Sequence, residues 1–249
     1  GLDKEPVHDS PGFSYPPAMG QVPGIQGLQL ATVKQIDQDP ENLCRIQVEL
    51  PAVAPGPNYV WARMAHFYAS RGSGSFFLPE IGDEVVLGFL DNDGRFPVIL
   101  GSLYSGNNAL PYTPGANNYT KAFVTYSRMK IEFDEEKKNI SICTPGNNSI
   151  VISDDGKSIE IKDQNSNSIK LSADGIVIDS AKDVKISAKG NITMNAVAEI
   201  AATATQDLKL KGMNINADAQ VGFTARGNAT AEISASGQTT VKGGIVMIN

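Results

Sequence analysis

Residue types that build catalytic and metal sites are scarce in this sequence. The 249 residues include two histidines, His8 and His66, two cysteines, Cys44 and Cys143, and a single tryptophan. An activated nucleophile needs a base such as histidine close by, and no spacing of histidines and cysteines here suits zinc. We therefore expect no catalytic residue, no metal ligand and no cofactor. The two cysteines are far apart, and we expect buried free thiols rather than a disulfide.

Long apolar runs and an excess of positive charge are also missing. No stretch approaches the roughly 18 to 20 apolar residues of a membrane-spanning helix, and no basic-then-apolar segment suggests a secretion signal. The formal net charge is −6, which argues against nucleic-acid binding, because proteins that bind nucleic acid present a basic face to the phosphates. The chain begins with Gly1 rather than methionine, so we expect a fragment of a longer protein.

Aromatic residues are few and become fewer toward the C-terminus. They make up 7% of the chain, and after Tyr126 only Phe133 and Phe223 remain. Aromatic side chains supply much of the buried area of ordinary cores. The second half, which is composed mainly of Ile, Val, Ala, Thr, Ser, Asn, Lys and Asp, must therefore bury its apolar groups in some other way.

The first half divides into an arm, a barrel and a connector. Residues 1–24 are rich in proline and glycine and predict an extended arm or linker. Residues 25–104 contain five segments with the alternation of half-buried strands, separated by turn-forming residues. Five short strands in about 80 residues predict a small closed barrel of the OB-fold type. Residues 105–139 predict a polar connector followed by the first strands of the second half.

Internal repeats dominate the second half. Pairs of apolar residues separated by one residue begin at Ile140 and Ile142, first with irregular spacing. From Val184 the spacing becomes eight residues, and one residue is lost after Leu210. The regular pairs are Val184/Ile186, Ile192/Met194, Ile200/Ala202, Leu208/Leu210, Ile215/Ala217, Phe223/Ala225, Ala231/Ile233, Thr239/Val241 and Met247/Asn249.

An eight-residue unit has room for one very short strand and one turn. Such a strand is unstable alone and must stack on others, yet an octad is too short for a full coil of a single-chain β-helix. We therefore predict an all-β fold in which residues 140–249 of three chains form an intertwined trimeric β-helix, a triangular prism. Its axis would contain Val184, Ile186, Ile192, Met194, Ile200, Leu208 and Leu210.

Two other interpretations of the repeat region are weaker. Residues 194–211 are rich in alanine and could form an amphipathic helix by propensity, but a period of eight fits neither 3.5 nor 3.6 residues per turn. A flexible low-complexity tail would not keep its apolar pairs in register. The β-helix is therefore the preferred prediction.

Three segments of the barrel carry a resemblance to a known family. They are WAR at 61–63, GSGSFFLPEIGDEVVLGF at 72–89 and RFPVILGSLY at 95–104. Together they resemble the barrel of VgrG and phage baseplate spike proteins, and the octads, which end in KGGIVMIN, are similar to the C-terminal β-helix of that family. Within the family, the sequence resembles most the spikes of extracellular contractile injection systems of the antifeeding-prophage type.

The resemblance implies a homotrimer at the centre of a baseplate, below the tail tube and in contact with baseplate hub proteins. It implies a puncturing spike without enzymatic activity, made in the cytoplasm, assembled into an injection particle and brought briefly against a target membrane. Complete members carry a hub domain before the barrel, and we expect this sequence to be a fragment that lacks it. A PAAR-type tip protein would dock on the C-terminal residues Ile245, Val246, Met247, Ile248 and Asn249.

Other classes of function remain open at this point. A trimeric fibre adhesin would share the octads but usually ends in a broader receptor-binding head. An OB-type module could bind carbohydrate or oligonucleotide, although the negative charge disfavours the latter. An enzyme, either a lysozyme or an effector fusion, would need a site that the sequence does not offer.

Overall fold

The computed structural model describes residues 24–51 and 58–248. The chain falls into two compact units, Gly1–Val184 and Lys185–Asn249. Within the described residues all regular secondary structure is β, apart from one turn of 3₁₀ helix at Leu90–Asn92. The predicted all-β fold is confirmed.

The first unit begins with a closed five-stranded barrel, as the alternation of the sequence predicted. Its strands are β1 (Gln29–Gln35), β2 (Ile46–Leu50), β3 (Asn58–Met64), β6 (Glu84–Phe89) and β7 (Pro97–Leu103). The order around the barrel is β1-β2-β3-β7-β6, and all neighbours are antiparallel except β3 and β7, which are parallel. A small hairpin, β4 (Ala69–Ser70) with β5 (Ser73–Gly74), lies between β3 and β6 in sequence.

Alternate residues of the barrel strands point inward and form the core. In β2, for example, Ile46 and Val48 are buried while Gln47 between them is half-exposed. This is the two-residue period of a strand with one face against a core. The fully buried side chains of the core include Val33, Ile46, Val48, Val85, Leu87 and Ile99.

The loop between β1 and β2 is organised by one buried carboxylate, Asp39. It accepts hydrogen bonds from the backbone N–H of Leu43 (2.9 Å) and Arg45 (3.1 Å) and from the Arg45 guanidinium (2.7 Å). The bonds from Arg45 hold the pKa of Asp39 well below its usual range. The loop places Cys44 at φ 57°, outside the strand alternation and exposed, so the prediction of a buried thiol is wrong for Cys44. Cys143 is only half-buried.

After the barrel and the connector, the chain forms one seven-stranded antiparallel meander. The strands are β8 (Thr120–Val124), β9 (Lys130–Asp134), β10 (Asn139–Cys143), β11 (Ser149–Ser153), β12 (Ser158–Lys162), β13 (Ser168–Ser172) and β14 (Gly175–Asp179). The sequence-based boundary at residue 140 falls inside this sheet. The prediction of an intertwined β-helix is wrong for residues 140–179, because their strands pair with neighbours in the same chain.

The first five turns of the meander alternate in length, so that one edge of the sheet has longer turns than the other. Five-residue turns follow β8, β10 and β12, four-residue turns follow β9 and β11, and a two-residue turn follows β13. In each five-residue turn the fourth residue has a left-handed backbone, with φ 67° at Arg128, 63° at Asn147 and 68° at Ser166. Polar side chains connect successive turns: the Asn148 side-chain oxygen accepts a hydrogen bond from the Gln164 N–H at 3.1 Å.

The second unit has a different backbone. Its described residues, 185–248, contain neither helix nor paired strand, and consist of stretches without regular secondary structure interrupted by bends. The bends lie at 189–190, 197–198, 205–206, 213, 220–221, 228–229, 236–237 and 244–245. They follow the octad spacing and lose one residue between 205 and 220, where the sequence repeat also loses one. The alternative helix at residues 194–211 is therefore wrong.

Candidate functional site

The two faces of the meander sheet differ sharply in chemistry. The second and fourth residues of each strand from β9 to β14 are Ile, Leu or Phe, whereas the first, third and fifth are mostly Ser, Asn, Lys, Glu or Asp. Because successive side chains of a strand point to opposite faces, the sheet has one apolar face and one polar face. This difference between the faces follows from the short apolar-x-apolar pairs in the sequence.

The strand register aligns the apolar side chains in two columns. Ile142 lies opposite Ile131 on one side and Ile150 on the other, and Ile140 lies likewise between Phe133 and Ile152. The first column contains Phe123, Ile131, Ile142, Ile150, Ile161, Ile169 and Ile178. The second column contains Phe133, Ile140, Ile152, Ile159, Leu171 and Ile176. Cross-strand contacts of this kind stabilise the sheet itself. We call the two columns together the apolar face.

The apolar face is not covered within one chain. From Ile131 in β9 to Leu171 in β13 its side chains are 37% to 44% exposed, while the barrel core is essentially inaccessible. Full burial of such a side chain contributes about 1.5–3 kcal/mol. The exposed fraction therefore represents about 1 kcal/mol for each side chain, on the order of 10 kcal/mol for the face. A contiguous patch of this size marks an interaction surface.

The polar face, in contrast, is partly covered by the connector of the same chain. The Tyr112 hydroxyl donates a hydrogen bond to the Glu132 carboxylate at 2.5 Å, and the Lys130 ammonium donates to the same oxygen at 2.9 Å. These bonds, first that of Lys130, lower the pKa of Glu132, and the carboxylate in turn raises the pKa of Tyr112. The connector therefore packs against the polar side and leaves the apolar face open.

The predicted axis residues are exposed in the single chain. The first members of the pairs, Val184, Ile192, Ile200 and Leu208, are 56% to 61% exposed, and the second members, Ile186, Met194 and Leu210, are 72% to 75% exposed. A single chain brings none of these pairs together across paired strands in the part that the structure describes. Their place on a trimer axis stays a prediction.

The predicted docking surface for a tip protein follows the last bend. Ile245, Met247 and Ile248 are 85% to 91% exposed, Val246 is 51% exposed, and Asn249 lies outside the described residues. This surface is apolar and accessible. Its role in docking stays a prediction as well.

The sequence did not predict the part of the apolar face that β8 and β9 contribute. The predicted apolar pairs began at Ile140, but Ile131 and Phe133 form an equivalent pair in β9, and Phe123 adds a first member in β8. The same apolar-x-apolar pattern in the segment KIEFD would have identified β9. KIEFD lies within residues 105–139, for which the sequence predicted a connector and first strands without placing the individual strands.

Neither metal-binding groups nor membrane helices are found in the described ranges. In residues 24–51 and 58–248, no group of three or more His, Cys, Asp or Glu side chains is arranged to hold a metal ion. Over the same ranges, none of the helical segments has the length and apolar character needed to cross a membrane.

Two regions of the chain match known domain families. Residues 29–104, the barrel, match the type VI secretion system/phage-baseplate injector OB domain. Residues 139–220, which include most of the meander sheet and the first octads, match the phage baseplate V C-terminal trimerisation domain. Together the two matches cover more than half of the chain.

Similar proteins include several spike proteins of type VI secretion systems. VgrG4b of Pseudomonas aeruginosa is 29% identical over 122 residues, which is 46% of this chain and 15% of that protein. VgrG1a of the same species is 37% identical over 57 residues, 23% of this chain and 9% of that protein. VgrG3 of Vibrio cholerae is 30% identical over 97 residues, 36% of this chain and 10% of that protein.

The chain thus aligns with no more than 15% of the length of these three relatives. The matches nevertheless agree with one another, because the OB domain is described for both type VI secretion systems and phage baseplates, the trimerisation domain for phage baseplates, and the relatives are type VI secretion spike proteins. The chain belongs to the VgrG and phage-baseplate spike family.

Proposed function

We propose that three copies of this chain assemble into a rigid spike at the centre of the baseplate of a contractile injection system. The observation that carries the proposal is the apolar face, which one chain leaves open over all seven strands of its sheet. Three such faces turned toward a common axis would bury one another. The strands from β9 to β14 each contribute two apolar residues and β8 contributes one, so each wall is narrow, as a triangular prism requires. The match to a trimerisation domain supports three copies.

The octads would extend the prism by a different pairing. Buried backbone N–H and C=O groups need hydrogen-bond partners, and the described residues 185–248 have no strand partner in their own chain. In an intertwined β-helix each octad forms one wall and pairs with octads of the two sister chains. The bends every eight residues would then be the corners of the prism, and Val184, Ile192, Ile200 and Leu208 would lie on the axis.

A prism of this kind suits mechanical work. In its octad part the backbone hydrogen bonds would connect three chains, so that many of them must break together before the rod deforms. We propose that the spike pierces the target envelope and is delivered outside the producing cell. It would contact hub and tail-tube proteins at the barrel end, carry a PAAR-type tip protein on residues 245–249, and belong to an extracellular system of the antifeeding-prophage type. No chemical step by this chain is required.

Imaging of whole injection particles tests the proposed place of the chain. Particles are purified from cells in which the chain carries an affinity tag in residues 1–23, and the tag is labelled with gold. We expect label at the centre of the baseplate end of the particle. Label along the sheath or on peripheral fibres would contradict a central spike and favour an adhesin.

A further inference from the structure

Four aromatic side chains form an exposed group where the barrel adjoins the sheet. Phe76 and Phe77 come from the barrel segment between β5 and β6, and Phe123 and Tyr126 come from β8 and the turn that follows it. Their exposed fractions are 82%, 61%, 64% and 84% in that order. They line a cavity of about 640 Å³. We call these four residues the aromatic cluster.

The aromatic cluster is continuous with the apolar face. Phe123 begins the first column and lies opposite Ile131 of the next strand. The ring of Phe77 stacks on the ring of Phe123, with centroids 6.3 Å apart and an angle of 24° between the planes. The stacked pair of Phe77 and Phe123 therefore connects the apolar face of the sheet to the barrel.

Only one of the two columns continues in this way. The second column ends at Phe133, which lies opposite Lys121 of β8. Lys121 forms an ion pair with Glu135 at 2.9 Å, which places charge at the top of this column. The apolar surface thus turns onto the barrel along one side of the sheet and is closed by charge on the other.

The surroundings of the cluster have the composition of an interface rim. Arg128, at the left-handed position of the β8–β9 turn, and the acidic residues Glu80 and Asp83 line the same cavity. Apolar and aromatic groups in the centre with charged groups around them are typical of protein–protein contacts. Because charges of both signs are present, a second copy of the chain can complement them.

We propose that the aromatic cluster is a contact between the barrel of one copy and a second copy of this chain. The proposal rests on the proposed trimer and adds where its barrels are joined. Copies in a three-fold ring meet through two different patches, so the surface of each copy need not be symmetric. The apolar surface continues onto the barrel along just one of the two columns, which is consistent with this asymmetry. The contact would fix the barrels to one another at the barrel end of the sheet.

Site-specific photocrosslinking of the full chain tests the contact. The photoreactive amino acid p-benzoylphenylalanine is placed at position 76 and, in a second variant, at position 126. Both side chains are more than 80% exposed in one chain, so the substitutions leave the fold intact. The matched control is position 96, where Phe96 is 53% exposed on the same barrel and does not line the cavity.

We expect irradiation to give covalent adducts of two and three chains when the photoreactive residue is at position 76 or 126. We expect no such adducts when it is at position 96. If the sample has the mass of three chains but positions 76 and 126 give no adduct between chains, the aromatic contact is wrong while the trimer stands. If the sample has the mass of one chain, both proposals are wrong. The same irradiation is carried out on whole particles. If positions 76 and 126 there crosslink to a different protein and not to another copy of this chain, the proposal is also overturned.

Discussion

Strand β14 offers a comparison between two adjacent residues that face opposite sides of the sheet. Ile178 belongs to the apolar face and Val177 to the polar face, and in one chain they are 62% and 55% exposed. If one chain were the functional unit, aspartate at either position would remain in water. Both substitutions would then change the free energy of unfolding by about 1 kcal/mol or less.

The trimer predicts very different results for the two substitutions. When three sheets meet, Ile178→Asp loses about 1–2 kcal/mol of apolar burial in each chain. It also buries a carboxylate, which costs several further kcal/mol in each chain unless the group takes up a proton. Val177→Asp stays at the solvent-exposed face and has almost no effect. We therefore expect Ile178→Asp to destabilise the assembly by at least about 3 kcal/mol per chain more than Val177→Asp.

Thermal unfolding followed by circular dichroism, with light scattering of the same samples, measures the difference. A carboxyl group buried in apolar surroundings has a raised pKa. Lowering the pH from about 8 to about 5 should therefore partly restore Ile178→Asp and leave Val177→Asp unchanged. Equal small losses for the two variants, without an effect of pH, would refute a covered apolar face.

Three further predictions concern the turns, the octads and the end of the chain. Hydrogen bonds from the backbone and side chain of Asn167 lower the pKa of Asp163 to about 2. Its carboxylate therefore stabilises the fold above about pH 4, and this contribution is lost between about pH 4 and pH 2. Asp163→Asn should show a smaller drop in melting temperature over that interval than the unsubstituted chain, and an identical drop would contradict the role of the carboxylate. Hydrogen exchange of amides in 185–248 should be slow, because intertwined octads pair their backbones; exchange at the rate of an unfolded peptide would rule out intertwining. Deletion of residues 245–249 should abolish binding of a PAAR-type protein and leave the mass of the assembly at three chains, whereas retained binding would place the docking surface elsewhere.

The barrel could be predicted well because each of its strands alternates against a single core. Segments such as IQVEL and EVVLGF give the two-residue period directly, and the structure buries Ile46, Val48, Val85 and Leu87 as that period requires. The exposure of Cys44 could not be predicted from the alternation, because the conformation of its loop depends on the Asp39 carboxylate. That carboxylate binds Arg45, six residues further along the chain. Such contacts between polar side chains and the backbone leave no periodic signal.

The meander sheet was harder to separate from the octads. Both consist of short strands with two apolar residues, so the pairs Ile140/Ile142 and Val184/Ile186 look the same in isolation. The difference lies in the intervals. Ile140, Ile150, Ile159 and Ile169 are separated by ten, nine and ten residues, the sum of a five-residue strand and turns of alternating length. The last two strands of the sheet are closer, since Ile169 and Ile176 are separated by seven residues and a two-residue turn joins β13 to β14. What distinguishes the octads is therefore the regular repetition of one interval of eight.

In the proposed trimer the apolar face and the octads need sister chains for different reasons, the first for burial and the second for backbone pairing. The mass of the unmodified chain in solution, measured by light scattering at micromolar concentration, tests this requirement most directly. The account predicts three times the chain mass of 26.5 kDa. A folded protein with the mass of a single chain would contradict it.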